Sequence, residues 1–196
     1  MSIFQPNPRS PKRSDYTGAR VYFARCVGFP AVKIGCSHYV LDRLKAVKSN
    51  LPFDMELIGQ FPGNLLDEKY VHVALLKHRL GGEFYADCDE VREWYEHARD
   101  FEAPLHPIPA LKLAHSVNSR RMVAFGEKHG ITTDKIAQML QVDRATVKRY
   151  ALKAHHGSSH YLAAMAVLAH RAGADISTIW RSPKRRNPSQ REGATA

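Results

Sequence analysis

Tyr22, Arg43, Glu68 and His72, in the first half of this chain, are of the types that phosphodiester hydrolysis needs, and Lys33 and Glu83 accompany them. That reaction calls for a carboxylate to hold a divalent cation, a cation to neutralise charge at phosphorus, and a group that takes the proton from water. Glu68 suits the first task, Arg43 the second, and Tyr22 or His72 the third. Glu68 and His72 stand four apart and so share one face of a helix. Taken singly, each type is ordinary: a lone helical Glu is usually solvated and a strand Tyr is usually core. His72 has two readings, one that orients the carboxylate or acts as base and one that fills space beside a core. His38, between Lys33 and Arg43, is a further candidate. No CxxC pair suggests zinc, and no phosphate-cradling glycine loop suggests a nucleotide cofactor.

A second chemistry lies in residues 131–154. Thr132 or Thr133 can cap a helix whose inward positions are Ile136, Ala137 and Leu140; a short turn through Gln141-Val142-Asp143 leads to a second helix with Val147 buried. This is the pattern of a helix-turn-helix, whose second helix enters the major groove of duplex DNA.

The elements that must position these residues can be read from periodicity. Residues 20–26 and the run VKIGCS form two strands joined by a Gly-Pro turn. A helix follows on Val40, Leu41, Leu44 and Val47, and MELIGQF makes a third strand. A long helix carries Leu65, Leu66, Tyr70, Val73, Leu76 and Leu80 until Gly81-Gly82 stops it. Glu83-Phe84-Tyr85 is a short extended piece, and DEVREWYEHAR is helical. Three prolines in FEAPLHPIPALK mark a linker at 101–112. Residues 1–18 read as a mobile arm and 183–196 as a disordered basic tail.

Charge divides the chain at the same place. The net charge is +10, with −1 across 19–100 (11 Lys/Arg against 12 Asp/Glu) and +9 across 101–196 (15 against 6). A near-neutral module joined to a basic one favours a polyanion partner for the second. Three cysteines without ligand spacing suggest reduced thiols in a cytoplasmic protein, and no apolar run is long enough to span a bilayer. No secretory signal is read at the N-terminus.

About 75 residues of the first module resemble the GIY-YIG nuclease superfamily. The first triplet appears as Arg20-Val21-Tyr22 and the second as Lys33-Ile34-Gly35. Arg43 lies in the next helix, Asp67-Glu68-Lys69-Tyr70-Val71-His72 stands for the Glu-bearing element, and Gly82-Glu83-Phe84-Tyr85 for the closing one. The match is closest to the phage and bacterial branch whose second triplet reads KIG. The resemblance implies a three-stranded antiparallel sheet flanked by helices and an Mg2+-dependent (or Mn2+-dependent) cut of a DNA phosphodiester. Tyr22 would position or activate water, Arg43 would contact the scissile phosphate and Glu68 would ligate the metal. Lys33 replaces the second tyrosine. Glu83 stands near a position where homing members carry Asn, either as a second metal ligand or as a structural residue pairing with Arg79 or a backbone amide.

Residues 113–182 resemble the lambda-repressor-like (Cro/CI-type) DNA-binding domains, with RRMVAFGEKHG, TTDKIAQML, RATVKRYALKA, SHYLAAMAVLAHRAG and DISTIW as five helices. Gln141 stands where that family usually has Gly. On the matching positions Arg144, Ala145, Thr146, Lys148 and Arg149 would face the groove, while Lys135, Lys153 and Arg121 suit phosphates. Such domains often work as dimers, although no heptad seam specifies a homodimer here.

The expectation is therefore an α+β nuclease-like domain at 19–100, a linker at 101–112 and an all-α five-helix domain at 113–182, acting together as a metal-dependent endonuclease on duplex DNA, with no membrane and no nucleotide cofactor. The competing class is a non-catalytic DNA-binding regulator built on a retired nuclease fold, a reading that Lys33 in place of tyrosine keeps open.

Overall fold

The computed structural model describes residues 18–102, 104–106, 119–154 and 159–179. The expected arm and basic tail lie outside these residues, as does most of the linker.

The strands are β1 (Arg20–Cys26), β2 (Ala31–Ser37), β3 (Met55–Pro62), β4 (Arg79–Gly81) and β5 (Phe84–Ala86). They form one antiparallel sheet in the order β3-β1-β2-β5-β4. Among the described residues seven α-helices accompany it: α1 (Val40–Lys48), α2 (Leu65–Ala74), α3 (Asp89–His97), α4 (Ser119–Lys128), α5 (Thr133–Leu140), α6 (Arg144–Ala154) and α7 (Ser159–Arg171).

The central strand β1 is buried on both faces, which is why it reads as a nearly unbroken apolar run. Val21 and Phe23 point into the main core with Leu66, Tyr70 and Trp94. Tyr22, Ala24 and Cys26 point the other way, under Val40 and Leu44 of α1. Alternation along β2 follows: Val32 and Ile34 join the main core, which places Lys33 on the Tyr22 side.

Two expectations about the fold are overturned. The sheet has five strands, not three, because the long helix ends early. It stops at Ala74, passes through a 3-10 turn at Leu76–His78, and the chain then extends into β4. Gly81-Gly82 does not terminate a helix; it makes the β4–β5 hairpin, where Gly82 takes a φ of +54° that glycine adopts without strain. Leu65 and Leu80, expected on a buried stripe, are accordingly exposed. The helical half is also not a separate five-helix domain. Its last expected helix is a 3-10 turn, Ile176–Ile179, started by Asp175, whose carboxylate accepts from the amide and hydroxyl of Ser177. Four residues cannot complete the α-helical ladder. Its helices share one apolar cluster with the sheet, in which Phe23 and Leu66 are continuous with Ile136, Val147 and Leu162.

The start of α2 is held by a buried carboxylate. Asn64 caps the helix, accepting from the amides of Leu66 and Asp67, and Asp67 returns the contact by accepting from the Asn64 amide at 2.9 Å. Asp67 has no exposed surface, and its second oxygen accepts from the backbone amide of His106 at 2.7 Å and lies 3.1 Å from the His106 ring nitrogen. Asn64 Nδ2 donates to the His106 carbonyl at 2.9 Å, and the His106 ring packs on Tyr70. The first part of the expected linker is thus fastened to α2.

Replacing Asp67 with Ala orphans three donors at once. We expect Asp67→Ala to lower the free energy of unfolding by about 3 kcal/mol, read as a reduced urea midpoint with an unchanged slope.

Candidate functional site

Tyr22 and Gly35 face each other across the β1–β2 pairing. The Tyr22 ring lies over Gly35 so closely that a Cβ there would sit 2.6 Å from the hydroxyl. Glycine in the second triplet is therefore a packing requirement imposed by the tyrosine of the first. Burial pushes the Tyr22 phenol above its ordinary range, and the Arg43 guanidinium opposes this through its charge and a hydrogen bond. Arg43 itself is exposed on α1, with its head turned toward the strand tyrosine. The negative charges of Glu83 and Glu68 are also felt at Tyr22.

Lys33 and Glu83 form an ion pair in which the ammonium is buried and the carboxylate partly open to solvent. The ammonium also lies 5.4 Å from the centre of the Phe84 ring. Burial alone would raise the Glu83 carboxyl, but the hydrogen bond and charge of Lys33 outweigh it and hold the group below its usual range. Glu83 pairs with Lys33, and Arg79 instead donates to the Gly82 carbonyl at 2.7 Å.

Glu68 is buried on α2, 5% exposed. Its Oε1 lies 3.3 Å from the Lys69 ammonium and 3.9 Å from His72 Nε2. Burial raises the Glu68 carboxyl; Lys69 works against this and Glu83 reinforces it. Lys69 is the residue that the motif reading passed over. The available signal was its adjacency to a helical Glu whose neighbours on both sides face inward.

His72 Nε2 lies 3.2 Å from the Ile34 carbonyl. A carbonyl only accepts, so this nitrogen carries the proton and donates to the strand. The 3.9 Å separation from Glu68 is too long for a hydrogen bond. Burial, aided by the Lys69 charge, pushes the imidazole down to about 4. His72 is therefore a neutral brace between α2 and β2, beside Glu68 rather than bonded to it. His38 is exposed, and no contact ties it to the site.

The carboxylates bear on what metal this site fits. Among the described residues no group of three or more His, Cys, Asp or Glu side chains could hold an ion. Glu68, with Glu83 nearby, fits the magnesium mode, in which one or two carboxylates share the cation with water and a substrate phosphate. Cys26 is buried, and burial pushes the Cys36 thiol up to about 12.

In the helical half, Thr132 caps α5 through the Lys135 amide. Gln141 ends α5 in the left-handed region (φ 54°, ψ 43°), so the turn keeps the conformation that glycine would favour. Asp143 opens α6, accepting from the Thr146 amide at 2.8 Å and hydroxyl at 2.7 Å. Arg144, Ala145, Lys148 and Arg149 are exposed along α6. Thr146 is instead turned inward, its hydroxyl donating to Asp143 and accepting from Arg149 at 2.8 Å. Arg144 pairs with Asp134 at 3.4 Å, and the Lys135 ammonium donates to the Gly130 carbonyl at 2.8 Å, at the end of α4. The side chain of Lys153 lies outside the described residues.

No protein-family model, curated protein or solved structure matches this chain. No helix among the described residues is long and apolar enough to cross a membrane.

The depressed His72 pKa sets a pH dependence with a definite sign. The folded protein holds the ring neutral, so this contribution to stability is whole above about pH 6.5 and is lost as pH falls toward 4. We expect a loss of about 3 kcal/mol across that window. His72→Gln, which can still donate to Ile34 but cannot be protonated, should flatten the fall in urea stability over the same range.

Proposed function

We propose that this protein is a metal-dependent endonuclease of GIY-YIG type acting on duplex DNA, with the exposed face of α6 as its groove-reading surface. The observation that carries the reading is that Gly35 makes room for the Tyr22 ring on the face where Lys33 pairs with Glu83, with Arg43 of α1 and Glu68 of α2 near enough for their charges to be felt at the phenol. These residues lie far apart in sequence, and among the described residues Glu68, unlike the buried Asp67 beside it, has a lysine ammonium and no backbone amide against its carboxylate.

Glu68, and Glu83 where it swings from Lys33, would hold Mg2+ or Mn2+. When bound, the cation supplies charge neutralisation at the phosphate and a water of lowered pKa. Arg43 would bind the scissile phosphate as an exposed guanidinium that needs only to move from Tyr22 onto the substrate. Tyr22 would orient the attacking water through its hydroxyl, Arg43 being the neighbour that favours its ionised form. Lys33, paired with Glu83, serves as a fixed positive charge and not as a proton acceptor. His72 holds α2 against β2 and so positions Glu68.

On the helical side, Arg144, Lys148 and Arg149 present charge on α6, with Lys135 near the end of α4 as a phosphate contact. Thr146 is bonded to the capping carboxylate of Asp143 and is left out of the reading surface. The regulator reading rests on Lys33 alone, and the Lys33–Glu83 pair weakens it, because that pair retains charge in the place the second tyrosine would occupy.

Nicking of supercoiled plasmid with Mg2+ or Mn2+ should cease in EDTA. Glu68→Ala should abolish it, Arg43→Ala should reduce it by about 100-fold or more, and Tyr22→Phe by about 100-fold. Metal-dependent nicking that survives Glu68→Ala would remove the proposal.

For the reading surface, Lys148→Ala and Arg149→Ala should each weaken duplex binding and flatten its salt dependence by about one unit of slope if they contact phosphate. Fluorescence anisotropy in EDTA measures this without cleavage.

A further inference from the structure

Helix α7 is buried from Tyr161 through Val167 without interruption. A helix apolar all round is an interior element, and α7 is interior because it packs on two sides. It lies against α2, the helix that carries Glu68, and also against α5 and α6, the two helices of the helix-turn-helix. Ala163, Ala164, Ala166 and Ala169 are all buried along it, which lets its neighbours approach closely. Charge is felt across the same seam, with Arg171 at Tyr70 and Lys69 and Arg79 at His160.

The start of the connector is fastened too. The Phe101 ring packs edge-on against Phe61 at 5.3 Å, and His106 is tied to Asp67 and Asn64 at the head of α2. We infer that α7 makes the two halves one rigid body, so that the α6 reading surface acts as a ruler and cleavage falls at one fixed distance from the bound helix-turn-helix. The cutting part of this inference rests on the nuclease reading above; the docking part does not. A flexible tether would give a different result, with the cut scattered over whatever the linker can reach.

Three measurements on the full chain test it. In 15N relaxation, residues of the sheet and of α5–α6 should report one common tumbling time; two separate times would overturn the docking whether or not the protein cuts. On duplex carrying a footprinted binding site, cleavage should map to a single offset, and a spread of offsets would overturn the ruler. Finally, a flexible Gly-Ser insert within residues 107–118 should leave the offset unchanged, since the spacing is set by α7 and not by the connector. An offset that moves or broadens with the insert would show a tether instead. If no duplex is cut under any metal, the nuclease reading and the ruler fall together, and the relaxation result alone decides whether the halves are docked.

Discussion

Two consecutive carboxylates, Asp67 and Glu68, are buried in the first turn of α2, and much of the molecule is arranged around satisfying them differently. A buried carboxylate is costly unless donors surround it. Asp67 accepts from two backbone amides and lies beside an imidazole, and those bonds fasten the helix start, the cap and the chain at His106 into one knot. Glu68 is left with a single ammonium at 3.3 Å and a neutral imidazole that donates elsewhere. The first is a structural anchor. The second retains coordination capacity, and it is held in place by the rigidity that the first creates.

The sheet treats charge in the same economical way. Lys33 is buried on the Tyr22 face because β2 alternates, and the β4–β5 hairpin places Glu83 against it. Without that hairpin the ammonium would face a core with no counter-charge. The added strands thus bring the last acidic residue of the motif into range of the other groups. The glycine opposite Tyr22 belongs to the same logic: the hydroxyl reaches its neighbours only because Gly35 leaves room for the ring.

Helix α7 extends this rigidity to the other half of the chain. The charge map divides near residue 101, yet the apolar core does not. Electrostatic asymmetry describes which surface meets a polyanion, whereas buried area determines what moves as a unit. Here the two boundaries differ, and a Pro-rich segment that reads as a tether is partly packed against the first module.

The sequence by itself determined the local devices. These are β1 to β3, the helices from α1 to α7 with the exception of the true end of α2, a cap at Thr132 or Thr133 and the order of the site residues; periodicity and capping chemistry act over a few residues and are written in them. The Asn64-x-x-Asp67 capping box is equally local, yet it is the folded chain that shows it. What tertiary structure decided depends on partners distant in the chain. Helix α2 ends at Ala74 because the following residues pair with β5, a contact that outweighs the apolar spacing of Leu76 and Leu80. Glu83 meets Lys33, 50 positions away, through side-chain directions that a linear pattern does not specify. The union of the two halves is the clearest case. A helix as apolar as α7 must be buried, but only the folded chain selects α2 as one of the surfaces that bury it.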